Sequence, residues 1–211
     1  MNRHRRWIQL CRALGATKNV DSSYRQIKDL YRTPIRVYHN IRHVEHCLSE
    51  YDAVSRLAVN PAAVEAAIWF HDAIYNSKVS DNEDKSASVA VSMLAAMGVG
   101  SKFCQDVRKL ILHTKHAGVP RTGDGKIIVD VDLAILGSVP AGFDKYENSI
   151  RKEYAWVDES VFWPKRAEFL RTLLSRKRIY VTDFFFKRYE ARARMNMSQS
   201  IARVGAAETI R

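Results

Sequence analysis

Apolar residues recur every three or four positions along most of the chain, which is the spacing of one face of an α-helix. In the first such segment Trp7, Leu10 and Leu14 share a face. Gly15 follows them as a helix stop. The same period continues downstream, and the helices it predicts lie at about residues 7–14, 22–31, 40–57, 61–75, 82–97, 101–114, 140–154, 159–176 and 184–204.

Polar residues, glycines and prolines mark the ends of these helices. Asn60 followed by Pro61 suits an N-cap and a first helical turn, and Gly98 suits a C-terminal stop. Residues 118–126 (GVPRTGDGK) form the only Gly- and Pro-rich break inside the chain and predict a loop. Residues 179–181 look extended but are too short for a sheet. The pattern therefore predicts an all-α protein with a single domain over residues 1–211 and about eight or more helices.

Composition and cysteine usage are those of a folded intracellular protein. With 46% hydrophobic and 27% charged residues, the chain is neither disordered nor fibrous. No apolar run approaches the ~18 residues of a membrane span, and the N-terminus lacks the apolar core of a signal peptide. The three cysteines, Cys11, Cys47 and Cys104, form no C-x-x-C pair and lie in apolar-periodic segments. We therefore expect buried, reduced thiols in a cytoplasmic protein with no membrane partner.

The formal net charge of +11 suits an anionic partner such as a nucleotide, a nucleic acid or a phosphorylated metabolite. A basic surface that only keeps the protein in solution is the alternative. The basic residues are densest at Arg3–Arg6 and Lys165–Arg194, away from the histidines and aspartates in the middle of the chain. The charge is therefore weak evidence about an active site.

Histidines in the middle of the chain are spaced for a metal site. His39 and His43 are four residues apart, and His43 and His46 are three apart, so each pair would share a helix face. His71 and Asp72 are adjacent, which on a helix separates their directions by ~100° and still lets both grip one ion. Imidazole together with carboxylate favours Mn, Fe, Zn or Mg over calcium.

The apolar run at residues 66–70 leads directly into the His71-Asp72 pair. Burying such a pair is costly unless its charge is compensated. A metal ion is one compensation, and an ion pair or exposure to solvent is another.

Six short motifs occur in a fixed order around these residues. They are Tyr38-His39-Asn40-x-x-His43, Phe70-His71-Asp72-x-x-Tyr75, Asn82-Glu83-x-x-Ser86-Ala87, Thr114-x-His116, Asp130-x-Asp132-Leu133-x-x-Leu136-Gly137 and Ile150-Arg151-x-Glu153-Tyr154. In this order they resemble the HD superfamily of metal-dependent phosphohydrolases, and most closely its bacterial branch with a YHN-x-x-H start. The resemblance covers about residues 24–190. It implies a metal-binding core at about residues 36–137 and a C-terminal helical extension at about residues 158–211.

The resemblance implies a divalent metal ion held by His43, His71, Asp72 and Asp132. Asp130 is the alternative to Asp132, since two residues that are i, i+2 point to different sides of a helix. We prefer Asp132 because its Asp-Leu dipeptide matches the family motif. The other aspartate is then available to cap the start of a helix.

Catalytic and substrate-binding roles are also implied. His39 would act with Asp72 in catalysis, as the general acid for the leaving oxygen, although orienting a ligand is an alternative role for it. The residues that would contact substrate are Glu83, Lys115, His116 and Arg151, of which Lys115 and Arg151 are cations suited to phosphate. Glu83 and His116 could instead hold a water network or a second metal, and two irons would suit an oxygenase.

The chain lacks motifs that are typical of particular branches of this superfamily, which narrows the range of expected functions. His46 stands where cyclic-nucleotide phosphodiesterases usually carry Asp, and the chain lacks both the HD…ED signature of stringent-response hydrolases and the GYP element of cyclic-dinucleotide enzymes. We therefore expect a phosphohydrolase that acts by metal-activated water attack on a nucleotide or a related small phosphorylated molecule. The metal would be Mn, Mg, Fe, Zn or a similar ion. A nucleotide- or nucleic-acid-binding module with little turnover is the alternative, and the oligomeric state stays open.

Overall fold

The computed structural model describes residues 2–209, with side chains through residue 205, and its regular elements in that range are all helical. The all-α prediction is therefore confirmed. The α-helices are α1 (Arg3–Ala13), α2 (Val20–Leu30), α3 (Ile41–Asp52), α4 (Pro61–Phe70), α5 (Asn82–Ala96), α6 (Ser101–His113), α7 (Gly123–Leu133), α8 (Pro140–Glu153), α9 (Glu159–Leu174) and α10 (Asp183–Thr209). Short 3-10 helices lie at Ser55–Leu57 and Ala134–Gly137.

The backbone groups into two compact units, one through Val131 and one from Asp132 onward. The division falls inside α7, which runs unbroken across it. None of the described helices combines the length and the apolar character needed to cross a lipid bilayer.

Helix α4 is the core of the first unit. The side chain of Asn60 accepts a hydrogen bond from the Ala63 amide at 3.1 Å, and Pro61 occupies the first turn. From Ala63 onward all but one residue of α4 is buried, as expected for a helix enclosed by its neighbours. Helices α1, α3, α5 and α6 pack around it, and Trp7 of α1 meets the rings of Trp69 and Phe70 edge-on. This packing fixes where the C-terminus of α4 lies.

Several predicted boundaries were wrong. Residues 118–126 were predicted as a loop, but α7 already begins at Gly123. The reason is tertiary: the carboxylate of Asp124 accepts the amides of Val59 and Asn60 at 2.7 and 2.9 Å, which anchors the first turn of α7. The turn-forming residues of this stretch do not reveal a contact with a segment that is distant in the sequence.

Two helices are shorter than predicted. The segment predicted at 40–57 ends as an α-helix at Asp52, and the one predicted at 61–75 ends at Phe70. Residues 179–181, which look extended in the sequence, form no strand.

In the second unit, α10 packs against α9 and against the 3-10 helix Ala134–Gly137. Glu190 of α10 is 7% exposed, and its carboxylate accepts the amides of Ile179 and Tyr180 at 3.1 Å. Arg194, one turn later, donates to the same carboxylate at 2.8 Å. Glu190 therefore ties the connection before α10 to the helix itself.

Replacing Glu190 with Ala should lower the free energy of unfolding by about 3 kcal/mol, because two buried amides lose their acceptor at about 1–3 kcal/mol each. The measurement is chemical denaturation followed by circular dichroism. Glu168→Ala is the matched control, since its exposed pair with Lys165 should contribute less than about 1 kcal/mol. Equal losses in the two variants would contradict the role of Glu190.

Candidate metal centre

Helix α3 carries two of the candidate ligands. It begins at Ile41, so His43 lies in the first turn and Cys47 one turn later on the same face. Asn40 is the N-cap, and its side chain accepts the amide of Arg42 at 2.9 Å and donates to the carbonyl of Val37 at 2.8 Å. These bonds stop the helix from extending toward the N-terminus.

His39 therefore lies before α3, and the prediction that it shares a helix face with His43 was wrong. Its ring instead stacks on Tyr75, with centroids 3.9 Å apart and planes 21° from parallel. The His39 and His43 rings still lie 6.0 Å apart. The turn before α3, and not a shared helix face, thus places the His39 ring near the His43 ring.

The second pair of candidates follows the C-terminus of α4. His71 is the C-cap, with helical backbone angles, and Asp72 lies in the turn after it. Both were predicted inside a helix that continues to Tyr75, which was wrong. Ser86 of α5 holds this turn by hydrogen bonds to the amide and carbonyl of Ile74, at 3.0 and 3.1 Å.

Three polar atoms converge where α3 meets this turn. The Nε2 atoms of His43 and His71 lie 3.0 Å apart. Oδ2 of Asp72 lies 3.5 Å from the first and 3.2 Å from the second. The imidazole side chains are 1% and 2% exposed and that of Asp72 is 14% exposed, so the carboxylate marks the side of the cluster nearest to solvent.

The hydrogen bond made by Nδ1 of His71 determines which nitrogen of the neutral ring carries the proton. Nδ1 lies 2.9 Å from the carbonyl oxygen of Ile68. A carbonyl can only accept, so Nδ1 must donate. In the neutral ring the lone pair is then on Nε2, which faces His43 and Asp72. Such a bond orients metal-binding histidines in general.

Cys47 is a residue that the sequence reasoning did not include. It was expected to be a buried, reduced thiol, and it is buried and forms no disulfide bond, like Cys11 and Cys104. Its Sγ, however, lies 3.7 Å from Nε2 and 3.8 Å from Nδ1 of His43. The signal was present in the sequence, because His43 and Cys47 are i, i+4.

Asp132 lies in the last turn of α7, at the start of the second unit, and its role as a ligand stays a prediction. Within the first unit, one ligand atom from each of His43, Cys47 and His71 lies within 4.8 Å of the others. Asp130 is not part of this group. It is fully buried in the body of α7, so the suggestion that it caps a helix start was wrong.

The distances fit a shared first-row cation. With ligand bonds of about 2.0–2.1 Å to nitrogen, a tetrahedral ion separates two nitrogens by about 3.4 Å. The Nε2 atoms of His43 and His71 lie 3.0 Å apart. Imidazole, carboxylate and thiol are also the donors such ions use. The residues present therefore fit a metal ion.

The electrostatics of Asp72 favour its ionised form. Burial raises the pKa of this carboxyl, but the positive charges of His71 and His39 when these rings are protonated, and the hydrogen bond that protonated His71 then donates, outweigh it, so the pKa lies below its ordinary value. Asp72 is therefore a carboxylate at neutral pH, as a metal ligand must be.

Arg36 is a second residue that the sequence reasoning missed, and it holds the centre together. It is 7% exposed and donates to the carbonyls of His39, Asp72 and Ala73 at 3.2, 2.6 and 2.9 Å. Its guanidinium thereby joins the turn before α3 to the turn after α4. The rigid fork of Arg is suited to several acceptors at once.

The predicted substrate-binding residues lie on several elements of the chain. Glu83 is half-buried in the first turn of α5, and Lys115 pairs with Asp84 at 2.5 Å. His116 has a left-handed backbone, with φ of 53°, just after α6. Arg151 of the second unit donates to the carbonyls of Tyr154 and Val157, which stabilises the chain after α8. Substrate roles for these four residues stay predictions.

We compared the chain with protein-family models, with curated proteins and with solved structures, and none of them matched. The likeness to the HD superfamily therefore rests on the motifs. The structure adds an all-helical fold and a buried group of His, Cys and Asp side chains able to hold a metal.

Replacing Arg36 with Met should lower the free energy of unfolding by about 3 kcal/mol, because one buried and two partly buried carbonyls lose a charged donor. It should also weaken divalent-metal binding by about 10–100-fold, the usual cost of losing a residue that orients ligands. Denaturation and calorimetric metal titration measure the two effects. Arg32→Met, at an exposed pair with Asp29, should change stability by less than about 0.5 kcal/mol. Unaltered metal binding in folded Arg36→Met would contradict the role.

Proposed function

We propose that this protein is a metal-dependent phosphohydrolase of the HD type, acting on a phosphoester of a nucleotide or a related small molecule. The observation that carries the proposal is the convergence of His43, His71 and Asp72 within 3.5 Å at the end of a buried helix. The ordered motifs support the reaction class, and the net charge of +11 is compatible with an anionic substrate.

Residues of this chain would bind the metal ion and shield it from solvent. His43 and His71 present ring nitrogens from a buried position, and the motif resemblance assigns Asp132 as a further ligand. A divalent ion held there supplies Lewis acidity, which polarises a phosphoryl oxygen and lowers the pKa of a water molecule. Asp72 is the more exposed member and orients substrate or water at the open side.

His39 is the residue we propose as the proton donor to the leaving oxygen. It is half-buried, stacked on Tyr75 and near enough to Asp72 to lower the pKa of that carboxyl. The stacking and the hydrogen bond from Arg36 to the His39 carbonyl hold the imidazole in place. Its position at the rim lets it reach a substrate atom without being a ligand itself.

Lys115 is the cation we propose for the phosphate. Its partner Asp84 is 45% exposed, and Lys115 itself is 36% exposed. An exposed pair of this kind is weak, so the ammonium can exchange its partner for a substrate phosphate at little cost.

His71→Ala and Asp72→Asn should each lower bound divalent metal and phosphate release from a panel of nucleotides by more than about tenfold, because loss of a ligand costs at least as much as loss of a residue that orients one. Elemental analysis and a phosphate assay are the measurements. His4→Ala, at an exposed pair with Asp21, is the control and should match the parent chain. A parent chain that binds no divalent ion, or phosphate release that persists in His71→Ala, would refute the proposal.

His39→Gln should lower kcat by about 10²–10⁴-fold while metal content stays at the parent level, because a proton donor has been lost and no ligand has. The kcat of this variant should fall much less for a substrate whose leaving group needs no protonation, such as a nitrophenyl ester. Loss of metal in parallel with activity would assign His39 to holding the ion instead.

A further inference from the structure

We propose that the pocket between α2 and α5 binds the nucleobase of the substrate, so that the protein selects nucleotides over phosphoesters that carry no ring. The inference rests on the proposed function and names the part of the substrate on which its specificity depends. The residues that line this pocket are different from those that the sequence predicted for substrate binding.

The pocket lies directly beside the candidate metal centre. Its inner wall includes residues 73–75, which follow the His71-Asp72 pair in the turn after α4. Arg36 also lines the pocket, and its guanidinium donates to the carbonyl of Asp72 at 2.6 Å. A ligand in the pocket is therefore in contact with the same turn that carries Asp72.

The walls of the pocket are largely apolar. The pocket has a volume of about 640 Å³, which lies within the ~300–1,000 Å³ of small-molecule sites. Val89 and Met93 share a face of α5, and methionine sulfur packs well against aromatic rings. The walls are formed by the half-buried side chains of Leu30, Ile74, Val89 and Met93. Such walls suit a flat ring with apolar faces.

Tyr75 adds an aromatic surface next to the proposed proton donor. Its ring stacks on the His39 imidazole with centroids 3.9 Å apart, and the Arg36 guanidinium lies 5.9 Å from its centroid. These two contacts hold the ring in place, and aromatic rings pack against one another in offset or edge-on arrangements. A nucleotide whose base lies against Tyr75 extends its sugar and phosphate past the edge of this ring toward His39 and Asp72.

The exposed rim of the pocket carries hydrogen-bonding groups. Gln26 and Asp29 of α2 and Thr33 after it line the pocket and are exposed. An amide and a hydroxyl can each donate and accept, and a carboxylate accepts. Asp29 pairs with Arg32 at 3.5 Å, but an exposed pair is weak, so the carboxylate can accept instead from an N–H at the edge of a base. Stacking on a ring together with hydrogen bonds to an edge is how proteins recognise unpaired bases.

The first test is a binding measurement on the full chain with isotope-labelled methionine methyl groups. Adenosine or guanosine should shift the magnetic resonance signal of the Met93 methyl, because a base in the pocket imposes a ring current on it, whereas ribose should not. The methyl of Met195, 44% exposed on α10, is the internal control and should stay unchanged. A Met93→Leu sample assigns the signal. Nucleosides that leave the Met93 signal unshifted, or that shift the Met195 signal as strongly, would overturn the inference.

The second test fills the pocket from α5 with Met93→Trp. This variant should raise KM for nucleoside monophosphates by more than about tenfold, which is the scale of a lost pocket contact. Its metal content and its phosphate release from glycerol phosphate should stay at the parent level, because glycerol carries no ring to place in the pocket. Ala13→Trp, at an exposed position of α1, is the matched control and should leave KM for both substrates unchanged.

The outcomes separate this inference from the proposed function. Phosphate release from nucleotides with an unchanged KM in Met93→Trp would overturn the role of the pocket and leave the phosphohydrolase intact. A Met93 signal that responds to nucleosides in a chain that releases no phosphate would support the pocket and refute the phosphohydrolase. If Met93→Trp does not fold, the methyl measurement on the parent chain decides.

Discussion

The hydrogen bond from His71 Nδ1 to the carbonyl of Ile68 is the contact on which the candidate centre depends. It directs the other nitrogen of the ring toward His43 and Asp72, and it links that orientation to the last turn of α4. Because α4 is enclosed on all sides, its C-terminus has little freedom to move. A small change at the end of this helix would therefore displace the ring nitrogen from its neighbours.

Burying two imidazoles beside a carboxylate is costly unless the polar atoms are satisfied. The surrounding residues add hydrogen bonds that fix the backbone around these side chains, and Arg36 also brings a positive charge close to Asp72. Asn40 ends α3, Ser86 holds the turn after α4, and Arg36 spans the two turns through carbonyl oxygens. A divalent ion would complete the compensation by drawing the ring nitrogens and the carboxylate to one point.

The centre has two unlike sides. His39 and Asp72 lie toward solvent, where a phosphoester could approach, whereas Cys47 lies within the protein beside His43.

The spacing of residues by itself determined the helical fold, and the 3.6-residue period predicted most helices to within a few residues. The ordered motifs, through their resemblance to a known superfamily, pointed to His43, His71 and Asp72 as candidate ligands. Only the tertiary structure decided that His39 precedes α3, that α4 ends before His71, and that Asp124 starts α7 inside a stretch that reads as a loop. The tertiary structure also revealed the contacts that Arg36 and Cys47 make with residues of the candidate centre. Periodicity depends on neighbours along the chain, whereas these features depend on carbonyls, amides and rings supplied by residues distant in sequence.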